Sequence, residues 1–455
     1  MQKTYVLDTN ILIDAPHALD SFEDNHIVLP LAVLEELDGL KMAEGETGAN
    51  ARAVIRKLEA LRLKGQLCSG IDLPSGGSLR IEINHREVDL PPGLDQMNRD
   101  RRILQVTKGL AEQGGQVILV TRDIVLRIKA QILGLLAEDF TTDQIDPQET
   151  IYSGRKEVYV PDEALDNFKN EGLDASLAYV TNEVGDRQPV DFYDHQFIIL
   201  RSDTQTKKTM LGRYRQGRLI PLTYQDERPF GVKPRSVGQY FLQEALMLPI
   251  DEAPLVIVKG PAGTAKTFYA LAVGLDRVLE GEKVYRKILI SRPNAQFDKD
   301  IGFLPGSEQE KISPLLRPII DNLENLLSTE NNKDFKQEQE VRSRIDYLLE
   351  AGIVTAEAMN FMRGRSICNT WFILDEAQNL SPNQVKGIIT RVGQGSKVVL
   401  LGDPQQIDNP HLNYRSNGLS YASQHMKGSP LCAQVTLLPQ ECERSDLALD
   451  AALRM

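Results

Sequence analysis

Pro254-Leu255-Val256-Ile257-Val258 is followed, after Lys259, by Gly260-Pro261-Ala262-Gly263-Thr264-Ala265-Lys266-Thr267 and then by Phe268-Tyr269-Ala270-Leu271-Ala272-Val273. The apolar run reads as a buried strand and the last stretch as a helix start, so the order is strand, glycine-rich loop, helix. In that order successive backbone N–H groups and the positive end of a helix converge on one point, which is what a polyphosphate requires. Lys266 then reaches the outer phosphates and the Thr267 hydroxyl ligates Mg²⁺. Gly260, Pro261, Ala262, Gly263, Thr264, Ala265, Lys266, Thr267 and Phe268 are the candidate nucleotide-binding residues. Ala265 stands where G-x-x-x-x-G-K-[ST] expects its second glycine; a positive φ there costs an alanine about 1 kcal/mol.

A second stretch, Trp371-Phe372-Ile373-Leu374-Asp375-Glu376, is an apolar strand ending in two carboxylates. Asp375 can stand beside the Mg²⁺ of a nucleotide, with Glu376 placed to polarise the attacking water. Upstream, Gln239 can read an adenine edge through its side-chain amide, or be a surface residue. Downstream, Ser396 to Gln406 is a further buried strand ending in polar residues able to sense the γ-phosphate, Gln406 among them. Arg444 can act as an arginine finger, in cis or across an oligomer interface, or be a solvated surface residue.

At 455 residues the chain exceeds the size of a single ordinary core, so two or three domains are expected. The formal charge of −12 argues against wholesale coating of nucleic acid. Local basic runs stay open as tracks or as solvated faces: Arg99, Arg101, Arg102, Arg122, Arg127 and Lys129, then Lys207, Lys208, Arg213, Arg215 and Arg218. Cys68, Cys368, Cys432 and Cys442 lie far apart, which offers neither a zinc site nor a disulfide framework. No apolar run approaches a transmembrane length, so no membrane partner and a cytoplasmic home are expected.

The N-terminal third alternates strands and helices and predicts a parallel α/β sheet. Tyr5 to Leu7 is a strand ending at Asp8, and Gln116 to Val120 is another leading to Asp123. Ligands bind at the carboxyl ends of such strands, where these two acids would meet. Clustered carboxylates repel unless cations neutralise them, and oxygen ligands select Mg²⁺ or Mn²⁺, ions suited to phosphodiester cleavage. Leu7-Asp8-Thr9-Asn10, Val33 to Asp38, Asp100 to Leu104 and Val120 to Asp123 resemble the four acidic motifs of PIN-domain ribonucleases, in family order. The resemblance implies metal ligation and catalysis by Asp8, Glu36, Asp100 and Asp123, with Asn10 in support and Glu35 as the alternative to Glu36.

From about 151 to 222 short strands and turns suggest a small β unit with a tight turn at Gln216-Gly217. Its basic hairpin can touch RNA through Arg213, Tyr214, Arg215 and Arg218, or serve as a structural bridge.

Gly260 to Thr267, Ile301 to Gly306, Leu374 to Asn379 and Gly402 to Gln406 resemble the PhoH family of ATPases, whose core is similar to superfamily 1 helicases. With the PIN-like part in front, nearly the whole chain resembles the PIN–PhoH fusion proteins of prokaryotes. The expected organisation is α/β: a PIN-like parallel-sheet domain over 1–145, a β-rich segment over 146–228 and a P-loop NTPase domain over 229–455. The resemblance implies ATP-dependent RNA unwinding coupled to ribonuclease cleavage, with ATP and Mg²⁺ or Mn²⁺ as cofactors and a ring, possibly hexameric, of identical chains. Two rivals stay open: a nucleotide-gated RNA-binding protein with slow turnover, which Ala265 favours, and a DNA-directed motor with an inactive nuclease domain.

Overall fold

A computed structural model describes residues 2–43, 45–91, 99–140, 149–182, 185–205, 207–280, 284–293, 308–328, 335–357, 367–409 and 412–442. The chain divides into two compact units, Met1–Gln144 and Ile145–Met455.

In the first unit the elements are β1 (Thr4–Leu7), α1 (Thr9–Asp14), β2 (His26–Pro30), α2 (Leu31–Leu40), α3 (Gly45–Arg62), β3 (Ile71–Asp72), β4 (Ser78–Glu82), α4 (Arg99–Glu112), β5 (Val117–Val120), α5 (Ile124–Ile132) and β6 (Leu136–Glu138). The strands form one sheet in the order β3-β4-β2-β1-β5-β6, parallel except for β3. β5 is Val-Ile-Leu-Val and buried at every position, as a strand covered on both faces must be. β1 and β5 lie side by side with Leu7 opposite Val120. That register brings the two acid-tipped strand ends together. Asp8 then caps α1 by accepting from Thr9 N, and Asp123 caps α5 by accepting from Val125 N and Leu126 N.

The second unit holds two sheets. The first comprises β7 (Arg155–Val160), β8 (Leu173–Asp174), β9 (Tyr179–Thr181), β10 (Arg187–Pro189), β11 (Phe197–Ser202), β12 (Thr209–Arg215) and β13 (Arg218–Pro221), with α6 (Asp162–Glu171) on one face. Its order is β10-β9-β7-β11-β12-β13-β8, with one parallel pair, β7 and β11. β12 and β13 are joined at Gln216 and Gly217, whose φ values of 46° and 86° are the left-handed pair a two-residue hairpin needs.

The remaining elements are α7 (Val237–Met247), β14 (Leu255–Lys259), α8 (Lys266–Leu279), β15 (Lys287–Ser291), α9 (Glu308–Ser328), α10 (Phe335–Glu350), β16 (Val354–Ala356), β17 (Thr370–Leu374), α11 (Pro382–Ile389), β18 (Lys397–Gly402), α12 (Gly418–His425) and β19 (Cys432–Thr436). The strands make an all-parallel sheet in the order β16-β15-β17-β18-β14-β19. Every residue of β14, β17 and β18 is buried, which explains the apolar run inside each, with Lys259 ending β14 and Thr370 and Lys397 opening β17 and β18. Both sheets feed one core: Phe197 of β11 stacks on Phe241 of α7 with ring centres 5.0 Å apart.

This junction decides between the two readings of Arg213, against the RNA contact and for the structural bridge. Its side chain is 3% exposed and pairs with Glu244 of α7, itself 1% exposed, and with Glu252. Arg215 also pairs with Glu252, and Arg218 donates to the carbonyl of Glu171. The basic hairpin is a bridge between the two sheets.

Candidate active sites

Residues 260–267 leave β14 and enter α8, whose first residue is Lys266. Ala265 sits in the left-handed region at φ 62°, ψ 25°, so the alanine carries the strain its position implied. Lys266 Nζ donates to the carbonyls of Gly260 (2.6 Å) and Pro261 (2.9 Å), and Thr264 Oγ1 donates to Pro261 O (2.8 Å). β18 lies between β14 and β17, so the loop and the acidic pair emerge at the same edge of the sheet. There Thr267 Oγ1 donates to Asp375 Oδ2 at 3.1 Å. Burial raises the Asp375 carboxyl above its ordinary value, Glu376 adds to this, and Arg292 opposes it.

Glu376 takes φ 54°, ψ 35°, a strained conformation for a residue with a side chain. Its carboxylate is held by Arg292 (2.5 Å) and by Gln378 Nε2 (2.6 Å). Gln378 also donates to the carbonyl of Gln406 and accepts from Asp403 N, joining the tips of β17 and β18. Ala262, Gly263, Ala265, Lys266, Thr267, Phe268, Asp375, Glu376, Asp403 and Gln406 line one cleft together with Asn322 of α9. A lysine, a hydroxyl and a carboxylate at these positions fit a nucleotide tail with a hard cation bound through oxygen. Asn322 had no signal in the sequence, since a helix distant along the chain brings it there.

Gln239 is neither on the surface nor in the lining of this cleft. It is fully buried, its carbonyl oxygen accepting from Arg235 N (2.8 Å) and from the Tyr269 hydroxyl. Arg444 and the stretch 301–306 lie outside the described residues.

In the first unit Asp8 is 7% exposed and heavily bonded. Oδ1 accepts from Thr9 N (2.6 Å), and Oδ2 accepts from Thr121 Oγ1 (2.6 Å) and Asn10 Nδ2 (2.7 Å). Burial pushes its carboxyl up to about 6; the bonds from Thr121 and Thr9 oppose this, and the charges of Glu36 and Asp100 add to it. Glu36 of α2 accepts from Thr9 Oγ1 (2.7 Å) and Arg99 (2.8 Å), and Asp100 of α4 accepts from Lys129 (2.9 Å). Asp8, Glu35, Glu36 and Asp100 line one cleft, flanked by Arg99 and Arg102.

Asp123 does not line that cleft. Its carboxylate is turned to the α5 amides, and its main-chain N–H is linked to Asp8 through Thr121, whose hydroxyl accepts from Asp123 N (3.0 Å) and donates to Asp8. Glu36, not Glu35, is the glutamate bonded to the Asp8 loop. Among the described residues no three carboxylates already stand close enough to clasp an ion. The donor set is all oxygen, which suits Mg²⁺ or Mn²⁺, and clasping one would call for the Arg99 and Lys129 pairs to open. The first basic run is thus largely internal: Arg99, Lys129, Arg122 and Arg127 pair with Glu36, Asp100, Asp14 and Asp139. Among the described residues no helix is long and apolar enough to cross a membrane.

Two family models match. Residues 231–453 match "PhoH-like protein" and residues 5–141 match "PIN domain". Three relatives are similar along almost their whole length, each called "Protein PhoH2". That of Bacillus subtilis is 40% identical, covering 99% of both chains. Those of Mycolicibacterium smegmatis and Thermobispora bispora are 35% and 33% identical, each covering 98% of this chain and 95% of the relative.

Proposed function

Because this chain belongs to the PhoH2 family, with a PIN domain ahead of a PhoH domain, we propose that it opens RNA at the expense of ATP and cuts the delivered strand at a separate acidic site. The observation that carries the first half is the bond from Thr267 to Asp375 beside Lys266: three groups of the right chemistry, from two strand ends, meet in one cleft. Lys266 holds the outer phosphates, Thr267 and Asp375 hold Mg²⁺, and Glu376 orients the attacking water and accepts its proton. Opening a base-pair step costs about 1.4 kcal/mol by analogy with DNA stacking, so one hydrolysis event can drive several steps.

For the second half, Asp8, Glu36 and Asp100 hold Mg²⁺ or Mn²⁺, and Asp123 sets the Thr121 hydroxyl that fixes Asp8. A bound divalent ion there supplies an activated water and stabilises the leaving oxygen. Arg99 and Lys129, freed from their acids, meet the phosphates of the strand. A ring of identical chains in the cytoplasm, with Arg444 as an arginine finger in cis or across the interface, completes the reading.

A slower, nucleotide-gated RNA binder is the second reading. The grip of Arg292 and Gln378 on Glu376 favours it, because a base so held is less free to take a proton. Steady-state phosphate release by the purified chain, with and without RNA, separates the two. Digestion of labelled RNA and single-stranded DNA in parallel tests the choice of nucleic acid.

A further inference from the structure

Lys259, the residue directly before the phosphate loop, is 4% exposed, and its ammonium lies inside the second unit. Nζ donates to the carbonyl of Tyr152 and to Ser423 Oγ (2.6 Å). A buried ammonium is costly unless its protons are taken, so these acceptors are held firmly in place. Ser423 is fixed in turn by Gln434, through Oγ to Oε1 (2.7 Å) and Nε2 to the Ser423 carbonyl (2.9 Å).

Tyr152 belongs to residues 149–155, the first described stretch of the second unit and the one nearest the nuclease domain along the chain. This stretch is strapped down at several points. Tyr152 N donates to Gln424 Oε1 (3.1 Å), Gln424 Nε2 donates to Glu149 (2.7 Å), and Arg415 donates to the Glu149 carbonyl (3.0 Å). Gly154, at φ 73°, lies so close to the Gln434 carbonyl that a Cβ would stand 2.2 Å from it. Arg155 pairs with Glu441 (3.1 Å), which also accepts from Gly238 N in the first turn of α7.

The other end of this network is the phosphate loop. Lys266 donates to Gly260 O and Pro261 O, and Gly260 N donates to Gly402 O (3.2 Å). A phosphate that takes the Lys266 protons removes the donor from both carbonyls, one residue from Lys259. We infer that Lys259 is a positioning residue through which occupancy of the phosphate loop is passed to the strap 149–155. The protons of Lys259 Nζ go to Tyr152 O and Ser423 Oγ, away from the loop that Lys266 serves. This inference rests on the ATPase reading above.

The test is hydrogen–deuterium exchange of the full-length chain with and without AMP-PNP and Mg²⁺, alongside a nucleotide-binding titration. In the wild type, binding changes the exchange of the Tyr152 amide and its neighbours by at least about fivefold. In Lys259→Met, nucleotide binds within about threefold of the wild-type Kd but the exchange response falls below about twofold; Lys259→Arg restores it. Nucleotide that binds the wild type and leaves 149–155 unchanged overturns this inference alone, as does a full response in Lys259→Met. Failure of the wild type to bind nucleotide overturns the ATPase reading with it. Should Lys259→Met not fold, Ser423→Ala, which removes one acceptor of Nζ, is read in the same way, and a full response in it overturns the inference.

Discussion

Thr267 Oγ1 donates to Asp375 Oδ2 at 3.1 Å, linking the first turn of α8 to the end of β17 across 108 residues of sequence. The parallel register of β14, β18 and β17 makes this bond, since all three strands run out at the same edge. A hydroxyl and a carboxylate so placed offer two oxygens to one hard cation, and the next residue, Glu376, faces the same cleft.

Glu376→Gln keeps the size of the side chain and removes its basicity. ATP hydrolysis is expected to fall by about 100-fold or more while the nucleotide Kd stays within about threefold. Phosphate release and a binding titration on the same preparation check it. Unchanged turnover would leave Glu376 a structural residue.

The raised Asp8 carboxyl has two pH consequences. With a folded value of about 6 against an ordinary 3.8, its contribution favours the fold below pH 3.8 and is lost as pH rises through about 6. Asp8→Asn loses at least one of the donors that Asp8 accepts from, and its stability relative to wild type is expected to move in the variant's favour by up to about 3 kcal/mol between pH 4 and pH 7.5 in the metal-free protein. Urea unfolding at both pH values measures this. Because ligation needs the carboxylate, Mn²⁺ affinity of the wild type is expected to weaken as pH falls through about 6.

Ala265→Gly removes a left-handed alanine. It is expected to be neutral or stabilising by up to about 1 kcal/mol, whereas Ala265→Val is expected to destabilise by more than about 1 kcal/mol. Thermal melts of the two variants give the comparison. A valine melting like wild type would contradict the loop geometry.

Arg213→Ala leaves Glu244 buried without its guanidinium, although Thr223 N and Tyr224 N still donate to it. The expected cost is about 3 to 5 kcal/mol, read from denaturant unfolding. A cost below about 1 kcal/mol would mean the two sheets are held together without this pair.

The nucleotide cleft was legible because its parts are local: a strand, eight consecutive residues and a helix, then a strand tipped with two acids. Gln216-Gly217 was legible for the same reason, since a two-residue turn is written in two residues. Asn322 was not, because its place depends on how α9 packs. For Arg213 the sequence left RNA contact and structural bridge both open, because charge density along a chain does not reveal that a partner 31 positions on, Glu244, will bury it. The acidic cleft was partly legible. Asp8, Glu36 and Asp100 do converge, but the motif could not tell that Asp123 would spend its carboxylate capping α5, nor that Arg99 and Lys129 would fold onto the acids.

If one chain carries two separable chemistries, two activities of three proteins reveal it: RNA cleavage with Mn²⁺ and phosphate release with Mg-ATP, for wild type, Asp8→Asn and Lys266→Ala. Asp8→Asn is expected to lose cleavage and keep phosphate release, while Lys266→Ala is expected to lose phosphate release and still cut single-stranded RNA. Cleavage by Asp8→Asn at the wild-type rate, or phosphate release by Lys266→Ala at the wild-type rate, would contradict it.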